Sequence, residues 1–253
     1  MELSRTAAVV TGAASGLGAA TAAVLAGQGV TVYGFDLQPA IDAVPAAADG
    51  VRYLAVDVTD PAAVRAAMAR AAGGPEPLRT VVNCAGIAPS ERILGRRGVH
   101  DLDRYASVVR VNLIGTFTVM ALAAERIAET EPDAHGQRGV VVNTASVAAY
   151  EGQIGQAAYA SAKGGVVALT LPAARDLAQH GIRVMAIAPG VMLTPMMETV
   201  SAEFHANLAA GVPFPSRLGA PGEYAALVLS ILGNDYLNGD VIRLDGALRM
   251  PPR

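Results

Sequence analysis

The chain carries one lysine among its 19 basic side chains, and that residue, Lys163, stands four positions after Tyr159 in the run YASAK. Residues i and i+4 share one face of a helix, so the phenol and the ammonium project into the same cleft. A compact ammonium on a flexible stem fits a tight site and biases a neighbour's ionisation, and a planar guanidinium does not take its place there. A free phenol ionises at about pH 10; a fixed cation beside it, with positive charge from a bound cofactor, brings it into the range of a general base near neutrality. Ser146 lies 13 residues before Tyr159, at the end of GVVVNTAS, and Asn112 lies in the helical stretch before that. The Tyr159/Lys163 pair points to acid–base chemistry; Ser146 alone reads either as a catalytic hydroxyl or as one satisfying backbone at a strand end, and Asn112 alone as a buried structural amide.

A second set has the spacing of a dinucleotide site. The run TGAASGLG follows an apolar strand and opens a helix. Gly12, Gly16 and Gly18 stand where the chain must turn tightly, approach a pyrophosphate and let the helix pack on the sheet. Asp36 ends the next strand, 18 residues beyond Gly18, near the distance expected of an acid that accepts hydrogen bonds from the adenosine ribose hydroxyls. A carboxylate there repels a 2′-phosphate, and neither Ser15 nor Leu37 supplies the cation such a phosphate wants, so NAD is the predicted cofactor. Asp57 and Val58 end the third strand, where they either meet an adenine edge or face solvent. The run NCAG, Asn83 to Gly86, lets backbone pass close to the cofactor or the neighbouring strand. Cys84 reads as a packing residue rather than a nucleophile, because no nearby His or Lys in sequence marks an activated thiol.

The elements that must hold these residues alternate. Strands are predicted at Ala7–Val10, Val30–Phe35, Val51–Val56, Thr80–Asn83, Val140–Thr144, Arg183–Ala188 and Val241–Leu244. Helices are predicted near Gly16–Gly27, Pro61–Ala71, Tyr105–Thr130, Tyr159–Ala178 and Glu223–Leu232. This rhythm predicts an α/β chain, one domain over residues 1–253, with a doubly wound, mostly seven-stranded parallel sheet of the Rossmann type flanked by helices. The polar stretches Glu91–Asp103 and Glu131–Gly139 read as loops, and the Met- and Pro-rich segment at about 190–215 reads as a lid over the substrate.

Composition narrows the function classes. At 52% hydrophobic and 16% charged, with a net charge of −3, the chain has a large core and neither a basic stripe for nucleic acid nor a polybasic membrane patch. The four histidines lie far apart without ligand spacing, so no metal is predicted. The first strand begins by Ala7, which leaves no room for a signal peptide, and no uninterrupted apolar stretch of about 18 residues reads as a membrane span. With one cysteine besides, the expectation is a cytoplasmic protein.

TGAASGLG, NCAG, Asn112, Ser146, the Tyr159/Lys163 pair and the Pro189-Gly190 turn together resemble the short-chain dehydrogenase/reductase superfamily over nearly the whole chain. The resemblance implies that Tyr159 is the general acid/base, Lys163 its pKa-lowering partner and ribose anchor, Ser146 the donor to the substrate oxygen and Asn112 the support of a proton-relay water. It places Thr194 on the nicotinamide carboxamide, and adds Leu17, Ala85, Pro189, Gly190 and Met192 to the cofactor contacts. The runs EPDAHGQRG, NTASVAAYEGQIGQAAYASAKGG, GIRVMAIAPG, VPFPSRLG and LNGDVIRLDGALRM are similar to the type-2 3-hydroxyacyl-CoA dehydrogenase group. That group implies NAD-dependent, reversible oxidation of (S)-3-hydroxyacyl-CoA, tolerance of hydroxysteroids and other secondary alcohols, and a homotetramer. Ser146, Gln153, Tyr159, Met192 and Met196 are then the expected substrate contacts. The sequence departs from the group after Gly190, where Met192 replaces an aromatic residue and Leu193 a glycine. Met192, Met196 and Met197 read either as an adaptable apolar wall or as lid and subunit packing. Arg92, Arg96 and Arg97 read either as a handle for the coenzyme A phosphates or as solvated surface charges.

Overall fold

The computed structural model describes residues 2–44, 50–96, 98–195 and 202–252. In chain order the strands are β1 (Ala7–Thr11), β2 (Thr31–Asp36), β3 (Val51–Ala55), β4 (Leu78–Asn83), the two-residue strands β5 (Leu94–Gly95) and β6 (Gly98–Val99), β7 (Gly139–Thr144), β8 (Ile182–Pro189) and β9 (Val241–Leu244). The helices are α1 (Gly16–Gly27), α2 (Gln38–Asp42), α3 (Pro61–Ala72), α4 (Leu102–Val109), α5 (Thr116–Ala128), α6 (Ala148–Glu151), α7 (Ala157–Ala178), α8 (Ala202–Ala210) and α9 (Pro221–Gly233).

Runs of consecutive apolar residues build strands that are covered on both faces: β1, β7 and β8 are buried along their whole length. The sheet has seven parallel strands in the order β3-β2-β1-β4-β7-β8-β9. Alternate residues of each strand feed opposite layers. Val9, Val81 and Val141 pack with Val64, Met68, Val119, Ala123 and Ile127 of α3 and α5. Val10, Val82 and Val142 pack with Ala22, Leu25, Tyr224, Val228 and Ile231 of α1 and α9. The chain leaves β1 toward β2 and β3, then returns to β4 on the other side of β1. Loops at the carboxyl ends of β1 and β4 therefore part in opposite directions, and a crevice opens between them.

The structure refines three of the predicted elements. The helix expected from Tyr105 begins at Leu102, because the Asp101 carboxylate caps it, accepting from the Asp103 and Arg104 amides at 2.9 and 3.1 Å. It does not run evenly to Thr130: Arg110–Gly115 is a π-helical turn joining α4 to α5, and it carries Asn112. The Glu91–Asp103 stretch is not all loop, since β5 and β6 pair there as an antiparallel hairpin. The expected lid segment contains α8.

Leu102–Ala128 is 27 residues of helix with a mean hydropathy of 1.6, long and apolar enough to cross a membrane by length and composition. Its Val108, Val119, Ala123 and Ile127 are nevertheless fully buried within the fold. Among the described residues no group of three or more His, Cys, Asp or Glu side chains is placed to hold a metal ion.

Candidate active site

A cleft of about 900 Å³ follows the carboxyl edge of the sheet. One end is built by the turn between β1 and α1. Gly12 and Gly16 hold φ of +65° and +52°, values that favour glycine. Space is as restrictive as conformation. A Cβ at Gly12 would lie 2.9 Å from the Ala85 amide nitrogen, and one at Gly18 would run into the Gly12 carbonyl. Ser15, Gly16, Leu17 and Gly18 thus bring the N-terminus of α1, with its free amides and positive dipole end, to the cleft wall. Thr11 ties the facing strands together: its hydroxyl accepts from the Cys84 and Ala85 amides, each at 3.1 Å.

Asp36 stands at the far side of this turn. Its two carboxylate oxygens accept from the Ala14 amide at 2.9 Å and the Leu37 amide at 2.8 Å. These bonds fix the carboxylate, which lines the cleft and retains acceptor capacity on each oxygen. Asp57, Val58, Ala85 and Gly86 line the cleft nearby.

The other end gathers the groups able to move a proton. Strand β7 ends at Thr144 and the chain continues through Ser146, while Tyr159 and Lys163 project from the first turns of α7. All three side chains, with Asn112, line the same cleft. Lys163 is 3% exposed, and its ammonium donates to the Thr144 carbonyl at 2.6 Å. It lies 5.7 Å from the Tyr159 ring centroid. Burial away from water disfavours the cation and draws the Lys163 pKa down from 10.5 to about 8. Burial also raises the Tyr159 phenol above its ordinary value, and a hydrogen bond with the Ser146 hydroxyl pulls it back in part. In the protein by itself desolvation outweighs the Ser146 bond, and the phenol stands above its ordinary value.

Asn112 is fully buried in the π-helical turn. Its side-chain amide donates to the Ile87 carbonyl at 2.8 Å and the Val108 carbonyl at 3.0 Å. Its Oδ1 is buried without a partner and stands 2.5 Å from where a Cβ at Gly86 would be, with the Lys163 ammonium 3.7 Å from the same point. A buried amide oxygen left open beside an ammonium, in a cleft, is an acceptor awaiting a donor.

Most of the expected contacts converge on this cleft, and a few do not. Gly12, Ser15, Gly16, Leu17, Gly18, Asp36, Asp57, Val58, Cys84, Ala85, Gly86, Pro189, Gly190, Met192 and Thr194 line it. Asn83 does not; it lies beneath, donating to the Asn143 side chain at 2.9 Å and to the Thr116 carbonyl at 3.4 Å. Gln153 does not line it either: its side-chain amide donates to the Pro251 carbonyl at 3.0 Å, and Gln156 is the glutamine on the wall. Met192 lines the cleft but is 7% exposed and packs into the core beneath. Arg92 and Arg96 are exposed outside the wall. Met196, Met197 and Arg97 lie outside the described residues. Cys84 is a free thiol at the wall; burial raises its pKa, with Tyr224 and Thr144 beside it. The sequence reading missed Val147, Ala148, Gln156 and Met250, all on the wall around Ser146 and Tyr159.

Known proteins resemble the chain over nearly its full length. It is 51% identical to 3-hydroxyacyl-CoA dehydrogenase type-2 of Bos taurus over 249 residues, 97% of this chain and 95% of that protein. It is 50% identical to the Homo sapiens protein of the same name, with the same coverage. The crystal structure of 3-hydroxyacyl-CoA dehydrogenase type-2 from Mycobacterium avium superposes with a TM-score of 0.92 at 43% identity, covering 98% of this chain and 97% of that one. The family profile described as short chain dehydrogenase matches residues 6–204, the stretch that carries every strand of the large sheet except β9, and the chain belongs to that family.

Proposed function

We propose that the protein is a 3-hydroxyacyl-CoA dehydrogenase that oxidises (S)-3-hydroxyacyl-CoA to 3-oxoacyl-CoA with NAD, reversibly. Family membership brings a nicotinamide cofactor, and the residues present fit one. A Cβ at Gly12, Gly18 or Gly86 would strike Ala85, the Gly12 carbonyl or Asn112 Oδ1, so only glycines let the turn and β4 pack this closely beneath the cleft, and Asn112 Oδ1 is left as a buried acceptor without a partner. The observation that carries the reading is the convergence of Ser146, Tyr159, Lys163 and Asn112 on one cleft, in a chain about half identical to proteins of that name.

The nicotinamide ring supplies the hydride acceptor in oxidation and the hydride donor in reduction. Ser146 and Tyr159 hold the substrate oxygen between two hydroxyls. In oxidation the Tyr159 phenolate takes the hydroxyl proton; in reduction the phenol returns it to the forming alkoxide. Lys163 brings a positive charge to within 5.7 Å of the phenol ring, which favours the phenolate once the cleft is filled. Asp36 supports NAD over NADP: its carboxylate is fixed at the ribose position by two backbone amides and opposes a phosphate there. A homotetramer is part of the same proposal, supported by Ile114, Phe117 and Leu171, which lie exposed on the long helices, and readable by light scattering.

The test is NADH oxidation at 340 nm with acetoacetyl-CoA, run beside NADPH and a steroid ketone, for the wild type and Tyr159→Phe. NADH-specific turnover of the thioester that falls by about 10²–10⁴ in the variant supports the reading. Turnover of the steroid ketone alone would keep the proton chemistry and replace the substrate.

A further inference from the structure

The segment after β9 reaches the cleft wall at Met250, and an ionic cluster holds it. The backbone turns back at Gly246 and Ala247, with φ of +58° and +66°. A Cβ at Gly246 would lie 2.6 Å from a Val212 methyl carbon, and Ala247 keeps a left-handed conformation that an L residue holds only when its surroundings impose it. Asp245 imposes it, accepting from the Ala247 amide at 3.0 Å, from Arg243 Nε at 2.7 Å and from Arg249 at 3.0 Å. Arg243 then forks onto Glu151 with bonds of 2.7 and 2.8 Å and donates to the Leu248 carbonyl at 3.1 Å. Glu151 also takes the Met250 amide. Beyond it, the Pro251 carbonyl accepts from the Gln153 side chain at 3.0 Å and the Pro252 carbonyl from the Ile154 amide at 3.1 Å.

These contacts join the tail to residues 151–154, between Ser146 and Tyr159 in sequence. Met250 is the residue of the tail that lines the cleft. Its amide is held by the Glu151 carboxylate, at the end of the helix that follows Val147 and begins with Ala148 of the same wall.

We propose that Met250 sets the size of the acyl group the cleft accepts, and that the Glu151–Arg243 pair is a positioning device that keeps Met250 on the wall. The inference rests on the acyl-thioester reading for its natural substrate. A flexible thioether fills an irregular gap beside a short acyl group and makes apolar contact with it. A smaller residue, or a tail released from its clamp, leaves that contact unmade and opens room for a longer chain.

The test compares wild type, Met250→Ala, Glu151→Gln and the double variant on acetoacetyl-CoA, 3-oxooctanoyl-CoA and 3-oxododecanoyl-CoA, and on methyl ketones of increasing bulk. Binding of NADH, read by its own fluorescence, reports the fold. For Met250→Ala the KM for acetoacetyl-CoA rises about tenfold, kcat stays within about twofold, and the long-to-short ratio of kcat/KM rises about tenfold. Glu151→Gln moves the ratio the same way, and the double variant adds nothing to it. Size profiles parallel to the wild type in both single variants, or an equal loss on every substrate in Glu151→Gln, overturn the proposal. If wild type turns over ketones and no thioester, the acyl-CoA reading falls, and the ketone series then tests Met250 by the same criterion.

Discussion

The Lys163 ammonium lies 5.7 Å from the Tyr159 ring centroid, and its hydrogen bond goes to the Thr144 backbone carbonyl at 2.6 Å. The cation is thus anchored to strand β7 and acts on the phenol through space. A buried cation with a carbonyl for its bonding partner, and no carboxylate, is costly to the fold even as it serves the site.

Lys163→Met is therefore expected to lose turnover by about 10²–10⁴ and to stabilise the free protein. The Lys163 pKa falls from 10.5 to about 8 on folding, which corresponds to a penalty of up to about 3 kcal/mol for the charged form. The sign follows from linkage: the penalty is full below pH 8 and is relieved as pH rises from about 8 toward 10.5. Thermal unfolding at pH 7 and pH 10 checks this. The variant's advantage should shrink at the higher pH, and an advantage that stays constant would contradict it.

Asp36→Ala is expected to raise KM for NADH about tenfold or more, since a carboxylate acceptor for ribose hydroxyls is removed. The same change removes the charge opposing a 2′-phosphate, so the NADPH-to-NADH ratio of kcat/KM should rise. Steady-state kinetics with both cofactors decides it; a ratio that stays put would transfer the selectivity to other residues.

Arg183 is 6% exposed and fastens the end of α9. It donates to the Leu237 carbonyl at 2.7 Å, the Ile231 carbonyl at 3.1 Å and the Leu232 carbonyl at 3.3 Å, and to the Gln137 side chain at 2.5 Å. Arg183→Met strands those acceptors in the interior, and a loss of about 3 kcal/mol is expected in urea unfolding. A variant as stable as wild type would mean that water replaces the guanidinium.

Glu223 forms a two-bonded pair with Arg217, both bonds 2.8 Å, and accepts from the Ala220 amide at 2.8 Å. Arg217 first, then the amide, hold its pKa at about 2 instead of 4.5. A depressed carboxylate contributes stability that is present above about pH 4.5 and is lost as pH falls toward about 2. Glu223→Gln should flatten the acid limb of a melting-temperature profile and leave its shape above pH 5 unchanged. The effect is small, because the pair is on the surface.

What the sequence disclosed follows from range. The inner strands are legible because both faces of a parallel sheet are buried there, so they read as mostly apolar runs. The Gly12–Gly18 turn, Asp36 and the Tyr159/Lys163 pair are legible because each depends on local spacing along one element. The π-helical turn at Asn112 leaves no mark of its own in the amino-acid pattern of a long apolar helix. The β5–β6 hairpin has two-residue strands, too short for an alternation to register. Gln153 and Gln156 are the same residue type three positions apart, and only the turn between them, with Gly155 at a φ of +94°, decides which one meets the cleft. Met250 reaches the wall through pairings to residues about a hundred positions away, for which no local pattern exists. Lys163 lines the cleft with Tyr159, but its bond to a backbone carbonyl cannot be read from side-chain identities.

The sheet order β3-β2-β1-β4-β7-β8-β9 has a consequence for how the protein is made. After β4, which pairs with β1, each further strand of this sheet is added at that same edge, beside the sheet strand most recently completed. A chain leaving the ribosome from its N-terminus can therefore assemble the nucleotide turn and Asp36 on a short early sheet. The proton-transfer groups arrive only with β7 and α7, and the tail carrying Met250 arrives after β9. Nascent intermediates would then have a nucleotide-binding edge before they have any means of catalysis, so a dinucleotide in the surrounding solution could act as a template for the half-made protein.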